Sequence, residues 1–319
     1  MPAITIAICT RNRAALLGKA VRSVLAQAGG NVEILIVDNG STDDTAKVTA
    51  EFVACDARVK LFREPKIGLS RARNLALREA AGDWVIFLDD DAEVEPGWLA
   101  AYENFFSNPP AAKMAVAGGA VVLCYELPPP KWMKASGNLE LGPKAFCLPV
   151  GGDLWECNCA WRRDAVLQAG DFDSQLGHRG EVAGYREGAD LNARLQNVGY
   201  EIWWLPGAAI RHFIHARRLN LKWVLQSAFH SGRTTAIQRL KARSGHRRVL
   251  YAVGRLLVAP LHCGINLLAA LVSFPFQNGR VAMGELIRAV SIVGFSCGLL
   301  QRVFRGNHVG QKIRAPEGT

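Results

Sequence analysis

The sequence predicts an α/β fold, a parallel sheet with right-handed crossovers, followed by a basic and apolar helical tail. Three observations predict it. Short strand-forming runs alternate with amphipathic stretches over the first hundred or so residues. Three of those runs end in polar residues. Acidic residues almost disappear after Glu201.

Taken in order, Ile4-Thr5-Ile6-Ala7-Ile8 reads as a strand beginning almost at the initiator Met, which leaves no room for a signal peptide. Ala14 to Ala28 carries Leu17, Val21, Val24 and Leu25 at helical spacing. Glu33 to Val37 is a second strand; the polar turn from Asp38 to Asp43 follows it and can cap a helix from Asp44. Val59 to Phe62 is a third strand, and Leu69 to Ala81 a helix with Arg71, Arg73 and Asn74 near its start. Next, Gly82-Asp83-Trp84-Val85-Ile86-Phe87-Leu88 runs directly into Asp89-Asp90-Asp91. A buried strand cannot carry three adjacent charges, so these carboxylates emerge at its C-terminal end, where open α/β sheets bind ligands. Carboxylates this close repel one another unless a cation sits between them. A hard divalent ion takes one or two carboxylate oxygens and leaves its other positions to water and phosphate. The alternative is a solvated turn capping a helix at Pro96-Gly97-Trp98. One rim thus receives Thr10-Arg11-Asn12, Asp38-Asn39 and Asp89-Asp90-Asp91, the pattern of a nucleotide site with a metal. The chain has no G-x-G-x-x-G or G-x-x-x-x-G-K-[ST], so neither a dinucleotide enzyme nor a P-loop ATPase is supported.

Four segments together resemble family 2 glycosyltransferases of the GT-A fold: Ile4 to Asn12, Ile36 to Asp43, Gly68-Leu69-Ser70-Arg71-Ala72-Arg73-Asn74, and Gly82 to Asp91. The likeness continues more loosely through Cys157 to Asp164, Gly170-Asp171-Phe172-Asp173, Glu187 to Leu191 and Arg211-His212. The resemblance implies a Rossmann-like mixed sheet in a catalytic domain over residues 1–215, with a nucleotide-binding half (1–123) and an acceptor half (124–215). Residues 216–319 form the tail. It implies a nucleotide-sugar donor whose base and ribose meet Asp38 and Asn39, with Thr10, Arg11, Arg73, Asp89 and Asp90 also on the donor side. Arg73 either touches the nucleotide or is paired in the scaffold. A divalent cation, Mg²⁺ or Mn²⁺, would be held by Asp89 and Asp91, with His212 as a further ligand. A His beside an apolar strand is otherwise often a packing residue. The cation would neutralise charge developing on the departing diphosphate. Inversion by direct displacement is likewise implied by the family.

The acceptor hydroxyl needs a base. The family pattern has two adjacent acids and a third two positions on, before Leu; here the segment reads Glu187-Gly188-Ala189-Asp190-Leu191, and the second acid is missing. Glu187 is the first choice for the base and Asp190 the second, three positions away, where the two can share a helix face. As a first-turn residue, Asp190 also suits the helix dipole alone. Cys157 and Cys159 flank Asn158 in a stretch that reads as a strand, without zinc spacing, and reduced thiols are the default. Asn158 faces the other way and, by the resemblance, touches a donor or acceptor sugar.

From Tyr125 to Val150 five prolines and no sustained periodicity indicate a linker or irregular lobe. Trp132, Trp155 and Trp161 nearby read as packing anchors sooner than as sugar platforms. Gly177 to Gly184 reads as a mobile loop over the acceptor site. Residues 202–319 hold seventeen Lys and Arg against two acids, a net of +15, whereas the first 201 hold 21 basic and 26 acidic residues, a net of −5. That asymmetry marks a tail that meets an anionic surface. Leu256 to Phe276 runs 21 residues without Asp, Glu, Lys or Arg, long enough to cross a bilayer, with Pro260, Gly264 and Asn266 interrupting it. Val281 to Leu300 is also apolar but contains Glu285 and Arg288, spaced to pair. Basic residues flank both segments, so the flanks are expected to be cytoplasmic, with a hairpin or interfacial helices between them. A buried helical subdomain is the soluble alternative. Nucleic acid is not an expected partner, because no basic-aromatic module is present. The expectation is a membrane-associated sugar transferase with its catalytic domain in the cytoplasm, acting on a saccharide or lipid-linked acceptor and touching membrane lipids. A silent membrane scaffold and a nucleotidyltransferase of related fold are the alternatives, although the latter would open with a glycine-rich G-G-x-G-T-R segment.

Overall fold

A computed structural model describes residues 3–29, 31–133, 139–180, 184–241, 243–273 and 279–304. The first half alternates strand and helix: β1 (Ile4–Thr10), α1 (Ala14–Leu25), β2 (Val32–Asp38), α2 (Thr45–Cys55), β3 (Val59–Arg63), α3 (Leu69–Glu79), β4 (Trp84–Leu88), β5 (Ala92–Val94), α4 (Trp98–Ser107), β6 (Met114–Gly118) and β7 (Val121–Tyr125). There follow β8 (Phe146–Cys147), β9 (Asn158–Arg162), α5 (Arg163–Ala169), α6 (Glu187–Asn197), β10 (Glu201–Trp204), β11 (Ile210–Ile214) and a 3₁₀ turn at Ala216–Leu219. Three long helices complete the described chain: α7 (Leu221–Lys241), α8 (Gly245–Ser273) and α9 (Arg280–Phe304). The structure divides into two compact units, one reaching Leu219 without Lys131–Met133, the other comprising Lys131–Met133 and the chain from Asn220.

In the first unit an eight-stranded sheet runs β3-β2-β1-β4-β9-β6-β10-β8. Its leading half is parallel, as the strand–helix alternation predicts, but β9 runs antiparallel to both β4 and β6, so the sheet is mixed. Alternation along β1 sends Ile4, Ile6 and Ile8 to one face, against Leu17, Val21 and Val24 of α1. Ala7 goes to the other face with Ala72, Ala76 and Leu77 of α3. Each of the larger side chains contributes about 1.5–3 kcal/mol by leaving water, and this two-sided burial fixes the strand ends at one rim. Gly82 is required by proximity: a Cβ there would lie 2.6 Å from the Thr5 backbone nitrogen.

A small second sheet, β5-β11-β7, stands beside that rim. Its register pairs His212 with Ala92, immediately after the carboxylate run, and the Phe213 N–H donates to the Asp91 carbonyl at 2.8 Å. The proline-containing stretch is largely irregular, carrying only β8 and a bridge from Leu139 to Val121; residues 134–138 lie outside the described part. Trp161 is fully buried, edge-on to Phe87 and Phe172, and donates to Asn192 Oδ1. Trp155 packs against Trp204.

In the second unit α7 and α9 approach closely at small residues: a Cβ on Gly232 would sit 2.0 Å from the Ser291 carbonyl oxygen, and one on Gly294 1.9 Å from that of Phe229. α8 leaves Leu257, Leu261, Ile265, Leu268 and Leu271 exposed. Gly245–Ser273 and Arg280–Val303 are each long and apolar enough to cross a membrane by length and composition. Glu285 and Arg288 form the expected ion pair. Residues 274–276 of the apolar run and the terminal basic residues Arg305, Lys312 and Arg314 lie outside the described residues.

Candidate functional site

The carboxylate run emerges from β4 as the sequence requires, and each aspartate meets a different environment. Asp90 turns back into the sheet rim, where its Oδ2 accepts a 2.7 Å hydrogen bond from Thr10 Oγ1. Burial pushes its carboxyl up to about 7 against the opposing charge of Arg13. Asp91 is buried and multiply held: Oδ1 lies 3.1 Å from His212 Nε2, and Oδ2 lies 2.6 Å from Arg13 Nη1 and 3.3 Å from Arg218 Nη2. Burial alone would raise its pKa, but the His212 hydrogen bond and the His212, Arg218 and Arg13 charges hold it far below the usual carboxylate range. Asp89 is the most open of the three, with Oδ2 3.7 Å from His212 Nε2 and Oδ1 3.7 Å from Arg73 Nη2.

His212 therefore bridges the two outer carboxylates. Burial works to lower its pKa, yet hydrogen bonds to Asp89 and Asp91 raise it to about 9. Its other nitrogen, Nδ1, is buried without a hydrogen-bond partner. Two carboxylates converging on one imidazole nitrogen form a donor set of oxygens and nitrogen that fits Mg²⁺ or Mn²⁺. Cys157 adds a thiol: its Sγ and the ligand atoms of Asp89 and His212 all lie within 4.8 Å of one another. Burial keeps that thiol protonated, its pKa raised well above 9.0, so it lines the site as a neutral neighbour.

On the nucleotide side, Asp38 is buried at the end of β2 and accepts from the Ser41 N–H at 2.9 Å. Asn39 has its amide fully engaged: Nδ2 donates to the Glu64 and Lys66 carbonyls, and Oδ1 accepts from the Gly68 N–H at 2.7 Å. Its side chain fixes the loop into α3, so the expected contact with the base does not fit this amide. Arg11 is half-buried, with Nε lacking a partner and Nη1 near Gly180.

Arg73 is 3% exposed and belongs to the scaffold. Its guanidinium lies over the rings of Phe87 and Phe172, while Nη1 meets Glu156 Oε2 at 2.7 Å and Glu187 Oε1 at 3.2 Å. Glu187, at the start of α6, is almost fully buried under Gly177 and hydrogen-bonded to Glu156. Burial first, then the neighbouring Glu156, raise its pKa well above the usual carboxylate range. Asp190 does not join this cluster. Its Oδ2 accepts from Arg194 Nε at 3.0 Å, and Arg194 also holds the carbonyls after α5. The loop from Gly177 to Gly184 borders Glu187 at Gly177, and its residues 181–183 lie outside the described part.

Asn158 corrects an expectation. It is fully buried, its Oδ1 accepts from Trp98 Nε1 at 2.9 Å, and its Nδ2 donates to the Ala208 carbonyl at 2.7 Å. Both ends of the amide are occupied inside the protein, leaving nothing to offer a sugar. Sequence reading missed Arg13, Arg218 and Glu156. Arg13 directly follows the Thr10-Arg11-Asn12 motif and could have been found there. Arg218 and Glu156 reach the site only through contacts distant in sequence.

Comparison with known proteins places this geometry. The family model described as glycosyl transferase family 2 matches residues 5–166. The succinoglycan biosynthesis protein ExoM of Rhizobium meliloti is 28% identical over 308 residues, 93% of each chain. A glucosyl-dolichyl phosphate glucuronosyltransferase of Haloferax volcanii is 25% identical over 245 residues, covering 72% of this chain and 75% of that one. Among solved structures, the mannosyltransferase PcManGT from Pyrobaculum calidifontis, in complex with GDP-Man and Mn²⁺, superimposes with a TM-score of 0.58 at 16% identity, covering 90% of this chain and 86% of that one. This last likeness shows the fold, GT-A. With half the chain matched by the family model, and the carboxylates, histidine and buried acid pair assembled at the expected rim, the protein belongs to glycosyl transferase family 2 and is a glycosyltransferase.

Proposed function

We propose that this glycosyltransferase is metal-dependent and inverting, and that it moves a sugar from a nucleoside diphosphate to a saccharide or lipid-linked acceptor at the cytoplasmic face of a membrane. The observation that carries the reading is the convergence of Asp89, Asp91 and His212 at the end of β4 and on β11. When bound there, a Mg²⁺ or Mn²⁺ ion supplies positive charge where the diphosphate leaves. Asp38 is placed to orient the base or ribose, and Thr10 holds Asp90 below the rim. Arg13 and Arg218 keep Asp91 ionised and add positive charge beside the diphosphate position. The acid pair of Glu187 and Glu156 serves the acceptor side, with Arg73 tying it to Asp89. The acceptor oxygen bonds to the anomeric carbon as the bond to the diphosphate breaks, and its proton passes to that pair.

The lipid-linked acceptor is supported by the name of the Haloferax relative, a dolichyl phosphate enzyme, and by that of a Campylobacter jejuni undecaprenol-linked glucosyltransferase, 37% identical over 118 residues, 34% of this chain and 38% of that one. The two apolar helices and the basic residues around them support the membrane and its cytoplasmic side. Calorimetry of UDP and GDP with Mn²⁺ tests the donor side. Binding should need the cation and should vanish in Asp91→Ala while the fold persists; undiminished cation-dependent binding in that variant refutes the assignment.

A further inference from the structure

The sequence lacks the second acid of the α6 segment, since Gly188 stands there. The structure fills that place from another part of the chain. A Cβ on Gly188 would lie 2.5 Å from Glu156 Cδ, 2.6 Å from its Cγ and 2.9 Å from its Oε1. The space a side chain at 188 would enter is occupied by the Glu156 carboxyl, which accepts hydrogen bonds from the backbone N–H groups of Gly188 at 2.8 Å and Ala189 at 3.3 Å. Resting on the glycosyltransfer reading above, we propose that Glu156 is the acid of the acceptor site, taking the proton of the acceptor hydroxyl, and that Gly188 is the vacancy that admits it.

Three observations separate Glu156 from Glu187. The first is access: the Glu156 side chain is 19% exposed, that of Glu187 5%, with Gly177 lying against the latter. The second is charge. The Glu156 carboxylate accepts from the Gly188 and Ala189 N–H groups at the start of α6 and lies 2.7 Å from Arg73 Nη1. Glu187, enclosed beside it, is pushed toward protonation. The third is position: Arg73 links the two halves of the site, with Nη1 on Glu156 and Nη2 3.7 Å from Asp89, so Glu156 stands one guanidinium away from the donor carboxylates. In the step itself, the acceptor O–H proton moves to a Glu156 oxygen. The freed oxygen pair forms the bond to the anomeric carbon, and the electron pair of the broken C–O bond leaves with the nucleoside diphosphate. Glu187 acts as a positioning residue that keeps Arg73 and Glu156 in register.

The test uses the full chain in detergent, a panel of UDP- and GDP-linked sugars, and a bacterial lipid extract as acceptor source, with release of nucleoside diphosphate as the readout. Glu156→Gln should lower kcat by about 100-fold or more while the donor KM stays within about twofold, as befits loss of a base. Moving the acid back, in the double variant Glu156→Gly with Gly188→Glu, should recover about tenfold or more over Glu156→Gly alone. Thermal unfolding supplies a readout that needs no turnover: Gly188→Glu should lower the midpoint in the wild-type background and do so much less when Glu156 is already Gly. Near-normal kcat in Glu156→Gln, or thermal effects that simply add, overturns the inference. Failure of the underlying reading is visible separately, as wild-type protein that binds neither UDP nor GDP with Mn²⁺.

Discussion

Replacing Asn158 with Leu keeps the branched outline of the side chain and deletes both ends of its amide. Four partners are affected, but two retain an alternative. The Tyr102 hydroxyl also reaches the Asn158 backbone carbonyl at 3.2 Å, and the Ala120 carbonyl also accepts from the Ile210 N–H at 3.0 Å. The Trp98 indole N–H and the Ala208 carbonyl are left without a partner among the described residues. Each stranded buried group costs about 1–3 kcal/mol, so the pair costs about 2–6 kcal/mol. Around the middle of that range, about 4 kcal/mol lowers the melting temperature of a unit this size by roughly 8–16 °C. Thermal unfolding of the purified full chain in detergent, followed by tryptophan fluorescence, measures it. A midpoint within about 2 °C of wild type would refute the reasoning, since even one stranded group should exceed that. If that same variant also showed a raised acceptor KM, Asn158 would be the sugar contact its sequence position suggests.

Two further outcomes follow from the buried acid and from the tail. The folded state holds a proton on Glu187 more tightly than the unfolded chain, whose reference value is 4.5, so the stability it contributes is complete below that value and lost as pH rises through the raised folded pKa. Glu187→Gln mimics the protonated form; its melting temperature relative to wild type should climb between about pH 5 and pH 8, and a flat or falling difference would contradict the assignment. For the tail, five exposed α8 side chains, Leu257, Leu261, Ile265, Leu268 and Leu271, would gain about 8–15 kcal/mol together on entering lipid, a contribution that salt does not screen. The full chain should therefore stay with membranes through high-salt and alkaline washes and leave only with detergent, whereas monodisperse recovery at low salt without detergent would return those helices to a soluble fold.

What the sequence disclosed was local, and what it withheld was long-range. The strands β1 to β4 announced themselves because each is a short apolar run stopped by polar residues, and the run from Trp84 into Asp89 admits only one exit for its charges. The direction of β9 could not be read. Asn158 to Trp161 are buried on both faces, so alternation carries no sign of whether a neighbour runs parallel or antiparallel. The resemblance implied ligand contacts for the Asn39 and Asn158 side chains. In the structure each amide satisfies backbone or indole groups inside the protein. At α6 the missing acid was legible as Gly188, but its replacement was not, because Glu156 is 32 residues upstream in the chain and meets the helix only through folding.

On the proposed reading, the charge arrangement would make donor binding depend on a cation at this rim. Asp89, Asp90, Asp91, Glu156 and Glu187 form ion pairs with Arg13, Arg73, Arg218 and His212. Arg73 is committed to the acid pair and to Asp89, and Arg13 and Arg218 are committed to Asp91. A diphosphate arriving alone would set its oxygens against Asp89 and Asp91, with Arg13, Arg73 and Arg218 already paired to carboxylates. Asp89, Asp91 and His212 would hold a divalent ion whose charge would offset that repulsion, with Arg13 and Arg218 close by on Asp91. Glu156 is anchored by the start of α6 as well as by Arg73, whose other nitrogen lies 3.7 Å from Asp89. Donor binding should therefore be strongly cation-dependent, which calorimetry measures, while the Glu156 thermal cycle reads the acid pair separately.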